Sequence, residues 1–301
     1  MSSSPRVMGQ NSPAVALPIG SPWRAAPRVW LWLSMAAALL AMAGNVVGLV
    51  AIDRIYGSAY PSLTDQAIAQ DLVNLAIVGP ALIVLAAVAW RGSLTAYLAW
   101  LGLLVFTVYN YVIYTFAIHF GPLFLVWVGV LGLALFALIG GVTAIDASTV
   151  KGRFTQHSMG FAAWFMIALS AVFGVLWLSD IVPALLSGDV PATVTEMGVP
   201  TNPVHVLDLA FFLPAAFVAR LMLLKRRALA YAMSPAVLLF LALTGVPILA
   251  TPFVADARGH AVGWTVTIPV GIITATSLAL LARMLLAVLP RTNDGHRLGR
   301  E

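Results

Sequence analysis

The sequence has no cysteine and only two lysines in 301 residues. Without cysteine there is no disulfide framework, no thiolate metal site and no thiol nucleophile. Charge is scarce as well: 9% of residues are charged, against about 25% in an average soluble domain. Such a chain cannot cover a water-facing surface, which excludes a soluble enzyme, a disordered chain and a nucleic-acid binder. No Gly-rich phosphate loop and no Gly-x-Ser-x-Gly elbow occur. Both lysines, Lys151 and Lys225, lie between apolar runs, so none is placed for a retinal Schiff base. Paired histidines inside helices, which haem would need, are absent too.

What is present is apolar: 61% of residues are hydrophobic, and the mean hydropathy is +0.98. A helix crossing a hydrocarbon core of ~30 Å needs about 20 such residues. Eight stretches meet or approach that length: 30–52, 72–90, 94–118, 122–145, 159–178, 206–224, 230–254 and 261–289. They lack the alternation a barrel requires. The expected fold is therefore all-α, a polytopic transmembrane bundle over 27–290. It is flanked by a disordered cytoplasmic tail at 1–26, rich in Ser, Pro, Gly and Ala, and a cytoplasmic tail at 291–301. Ala41-Met42-Ala43 matches a signal-peptidase pattern, but the apolar run continues to Ile52, so an uncleaved helix is expected.

Charge gives orientation. One side collects Arg6, Arg24, Arg28, Arg91, Lys151, Arg153, Arg220, Lys225, Arg226, Arg227, Arg283, Arg291, Arg297 and Arg300, which is 14 of 16 basic residues. The other side keeps Arg54 and Arg258. It also holds Asp53, Asp65, Asp71, Asp180, Asp189, Glu196, Asp208 and Asp256, 8 of 11 acids. The positive-inside rule places both termini in the cytoplasm, and a plasma membrane is the expected location. Arg220 and Arg283, inside their helices, are expected to snorkel to the cytoplasmic headgroups. Membrane lipids are the expected partners. Arginine outnumbers lysine 14 to 2, a bias typical of GC-rich bacterial genomes.

Two stretches look alike: Asp71-Leu72, Pro80-Ala81, Arg91 and Ala96-Tyr97 against Asp208-Leu209, Pro214-Ala215, Lys225-Arg226-Arg227 and Ala230-Tyr231. The offset is 137 at the aspartates and 134 at the prolines and tyrosines. Two readings stand. One is a parallel 4+4 repeat, and the other is the compositional likeness of any two apolar helices.

Polar residues inside helices gather toward the outer leaflet: Asn45, Asn74, Thr107, Asn110, Tyr114, Trp177, Asp180 and the segment Asn202 to Asp208. Such groups are costly in lipid and face the bundle or a wet cavity. Asn202 suits an N-cap and Pro203 the first helical position. His205 then sits in the first turn, with Asp208 one turn on. A pocket lined by Asp71, Asn74, Asn110, Tyr114, His205 and Asp208 is expected, binding or moving a small molecule or lipid. His119, His205 and Asp208 form a second, metal-dependent hydrolase reading, with zinc as the ion. No His-Glu-x-x-His motif supports it. Asp71 and Asp208 near helix N-termini, and His119 and His260 in interfacial loops, have ordinary structural roles. A third reading is a structural or sensory subunit in which these residues only join helices. Tyr111 and Phe120 suit an interfacial aromatic belt.

Tyr109-Asn110-Tyr111-Val112-Ile113-Tyr114 and Pro203-Val204-His205-Val206-Leu207-Asp208, followed by Pro214, resemble segments of a bacterial family of multi-pass membrane proteins. The resemblance spans the second to seventh runs and implies no activity. Zinc membrane hydrolases with a His-x-x-x-His pattern are not resembled.

Overall fold

In lipid a backbone must satisfy its own polar groups, and a helix does so within one segment. In the computed structural model, which describes Trp23 and residues 28–154 and 159–288, eight helices are long and apolar enough to cross a membrane. Apart from Trp23, the tail expected at 1–26 lies outside the described residues, as do 291–301. The first span is α1 (Arg28–Val50), followed by a short α2 (Ile52–Tyr56). The second is α3 (Pro61–Val73) continued through a π segment into α4 (Gly79–Trp90). Then come α5 (Leu94–Ala117), α6 (Phe124–Ala144) and a short α7 (Ala147–Gly152). The fifth span is α8 (Met159–Ser187), with α9 (Ala192–Met197) in the loop after it. The sixth is α10 (Pro203–Leu207), a second π segment and α11 (Leu213–Leu224). The last two are α12 (Ala228–Ala257) and α13 (Thr267–Leu286).

The second span starts earlier than expected, at Pro61, where proline fits the first turn without losing a helical bond. α8 runs on through Pro183, past the expected end at 178, and α12 runs unbroken through Pro235, Pro247 and Pro252. Those prolines do not break their helices.

Loops sort into two ends. At the acidic end the Ser62 hydroxyl donates to the Glu196 carbonyl at 2.7 Å, and His260 Nδ1 lies 2.7 Å from Asp65. At the basic end Lys151 Nζ donates to the Arg226 carbonyl at 2.6 Å, and Trp23 bridges to Ile145.

α5 is the axis of the bundle, with 72% of its spanning window buried, against 22% for the fifth span. It packs on α4, α6 and α12. Gly102 permits the α5–α12 approach, since a Cβ there would stand 3.0 Å from the Ala236 Cα. Polar bonds tie α5 to its neighbours inside the core. Trp100 Nε1 donates to Ser34 on α1 at 2.9 Å, and the Tyr97 hydroxyl donates to the Gly141 carbonyl on α6 at 2.8 Å. α8 packs chiefly on α11.

The π segments are Asn74–Val78 and Asp208–Phe212, and Pro80 or Pro214 follows each by two residues. A proline ring clashes with the carbonyl four residues back and brings no N–H. Here those carbonyls belong to Ala76 and Ala210, and widening the turn relieves the clash. The Gly79 N–H reaches back to the Asn74 carbonyl, and the Leu213 N–H to that of Asp208. Both segments, the helices after them and the starts of α5 and α12 keep a constant spacing of 134 residues. That register pairs Asp71 with His205 and Asn74 with Asp208, whereas the sequence match paired the two aspartates.

Arg220 does not snorkel. It is 4% exposed, and its guanidinium lies over the Trp164 ring, 4.1 Å from the centroid.

Candidate functional site

A cavity of about 640 Å³ opens at the acidic end between α3, α5, α8, α9, α10, α12 and the segment after α12. α5 supplies Phe106, Tyr109, Asn110, Ile113 and Tyr114. Their spacing puts them on one helical face. α3 adds Asp65, Gln66 and Gln70, α8 adds Trp177, and α12 adds Thr244, Pro247, Thr251 and Pro252. Prolines in α12 leave their rings facing this space. Thr193, Glu196 and Asn202 stand at the loop side.

Of the expected site residues, Asn110 and Tyr114 line the cavity. Asn110 is 4% exposed and its Nδ2 has no hydrogen-bond partner. A buried amide without a partner costs about 1–3 kcal/mol. Asp71 stands one layer behind. Its Oδ1 accepts from the Tyr114 hydroxyl and its Oδ2 from the Tyr56 hydroxyl, both at 2.6 Å. Burial first, then the Asp71 charge, push the Tyr56 phenol above its ordinary value, so it stays a donor. Gly48 of α1 passes so close to this carboxylate that a Cβ there would meet Asp71 Oδ2.

Asp208 stands behind the cavity wall at another point. Its Oδ1 accepts from the Tyr109 hydroxyl at 2.9 Å and its Oδ2 from Trp177 Nε1 at 2.8 Å. Asn202 caps α10 as expected, its side chain accepting from the Val204 N–H at 2.9 Å. His205 is 5% exposed, with its ring 4.7 Å from that of Trp177 and its Nε2 unpartnered. Asn74 is buried beside the site, its Oδ1 accepting from Gln70 Nε2 at 2.9 Å and its Nδ2 without a partner. Asp71, Asn74, His205 and Asp208 thus surround the cavity without lining it.

His119 lies exposed after α5. Among the described residues no three His, Asp or Glu side chains gather where a metal ion could sit, and His119, His205 and Asp208 form no such group. His260 joins Arg258 on Asp65 at the cavity mouth, Arg258 Nε lying 3.0 Å from Oδ1.

Tyr56, Tyr109 and the Asp65–Arg258–His260 cluster were not identified from sequence. Their partners are 15, 99 and 195 residues away, and only helix packing unites them. Tyr111 is not in a belt. It is 2% exposed, reaches Asn45 at 3.4 Å and stacks on Tyr114, while Phe120 is exposed as expected.

The chain matches no protein family, no curated protein and no solved structure. Roles for these residues therefore rest on their geometry.

Proposed function

We propose that this protein binds or moves a small molecule or lipid at the cavity at its acidic end. The observation that carries this reading is a cavity of about 640 Å³ whose wall joins apolar side chains to the polar Asn110, Thr244 and Thr251. That volume is within the range of sites for drug-sized ligands. Apolar side chains such as Phe106, Ile113 and Ile248 supply burial, while Asn110, Thr244 and Thr251 supply orientation. The charge asymmetry supports a plasma-membrane setting with both termini cytoplasmic and the cavity opening outward. The constant 134-residue spacing of the π segments supports the parallel-repeat reading over compositional likeness.

The test uses N-phenyl-1-naphthylamine, a neutral apolar fluorophore. Bound in the cavity it takes energy from Trp177. Saturable transfer is expected in the native protein and its loss in Ile113→Trp, whose larger ring fills the space. Equal transfer in both proteins, with both folded by circular dichroism, contradicts a ligand cavity and leaves the polar residues as links between helices.

A further inference from the structure

We propose that the cavity selects lipophilic organic cations, an inference that rests on the cavity being a ligand site. The charges around it are lopsided. Its lining contains Asp65 and Glu196 but no lysine, arginine or histidine. Asp65 is already matched by Arg258 and His260. Asp71 and Asp208 are not matched. They are 1% and 8% exposed, and each carboxylate is held by two neutral donors.

The groups packed around Asp71 are Asn45 and Gly48 of α1, Tyr56 of α2, and Tyr111 and Tyr114 of α5. Those around Asp208 are Tyr109, Trp177 and, one turn back, His205. None of these is a lysine or arginine. A buried carboxylate calls for an opposite charge as well as hydrogen bonds, and among the described residues neither has one.

The link between these carboxylates and the cavity is specific. Tyr109, Tyr114 and Trp177 each line the cavity and each donate to a carboxylate behind it. Donation to a negative acceptor polarises the donor. Phe106 completes a set of four aromatic rings in the wall. Aromatic faces backed by negative charge recognise quaternary cations. An anion would meet Glu196, while the bases at the mouth, Arg258 and His260, are already held by Asp65.

The test compares tetraphenylphosphonium with tetraphenylborate, ions of matching shape and opposite charge, by equilibrium dialysis of the purified full chain. The phosphonium is expected to bind saturably, to lose that binding in Ile113→Trp, and to weaken at least about tenfold in Asp71→Asn and in Asp208→Asn. Should those variants fail to fold, Trp177→Leu carries the same expectation. Unchanged phosphonium affinity in every folded variant overturns the proposal. Borate binding as tight as phosphonium binding, both lost in Ile113→Trp, overturns the charge selectivity while the cavity stands. If naphthylamine alone binds, the cation proposal falls. If no probe shows binding sensitive to Ile113→Trp, the ligand cavity falls with it.

Discussion

At the scale of single residues, two carboxylates organise the acidic end of the bundle, and each depends on donors from other helices. Tyr114→Phe removes one of the donors to Asp71 and should destabilise the protein by about 1.5–3 kcal/mol, the worth of a hydrogen bond to a charged group. Thr115→Ala, next along the chain, removes a hydroxyl bonded only to its own helix at Tyr111 and should cost under about 0.5 kcal/mol. Reversible unfolding in mixed micelles reads both. Gly48→Ala would press a methyl onto Asp71 and Tyr56 and should cost about 1–3 kcal/mol by overpacking, whereas Gly132→Ala meets nothing within 4 Å and should be neutral. Purified protein should carry no stoichiometric zinc by elemental analysis, and His205→Ala should not change its content. One zinc per chain, lost in that variant, would restore the metal reading. The Asn202 cap was legible because capping is local. The partners of Asp71 and Asp208 were not, since i+3 spacing favours His205 for Asp208 while packing brings Tyr109 and Trp177.

At the scale of elements, the paired π segments set where those carboxylates point. A π turn inserts one extra residue into a helix, so the part before it is rotated relative to the part after. Deleting Ile77 should restore α-helical bonding through Asn74–Val78 and turn α3 by about 100° against α4. Asp71 would then leave Tyr114. The expected result is a large fall in melting temperature despite a more regular helix. An unchanged melting temperature would show that the π segment does not place Asp71. Pro80 and Pro214 were visible in sequence, but the widened turns before them were not. Whether a helix answers a proline by kinking or by widening its turn depends on its neighbours, which no single segment reports. Pro61 was missed for a related reason, because α3 carries Asp65, Gln66, Gln70 and Asp71 and so does not read as apolar.

At the scale of the whole molecule, eight spans and their alternation were legible, because lipid leaves a helix few alternatives. The cavity was not. It arises between α3, α5 and α12, with Trp177 of α8 and the α9 segment at its side, a matter of helix placement rather than composition. Orientation is open to direct labelling, since the chain has no cysteine of its own. Ser58→Cys and Ser148→Cys are both at exposed positions, at opposite ends of the bundle. An impermeant maleimide applied to intact cells should modify the first and spare the second; the reverse pattern would invert the topology. The decisive measurement uses the same reagent on Ile113→Cys, at the cavity wall within a spanning helix. Modification from outside the intact cell is the expected result, slowed by tetraphenylphosphonium. A cysteine that stays unmodified until the protein is denatured would contradict an outward-opening ligand cavity.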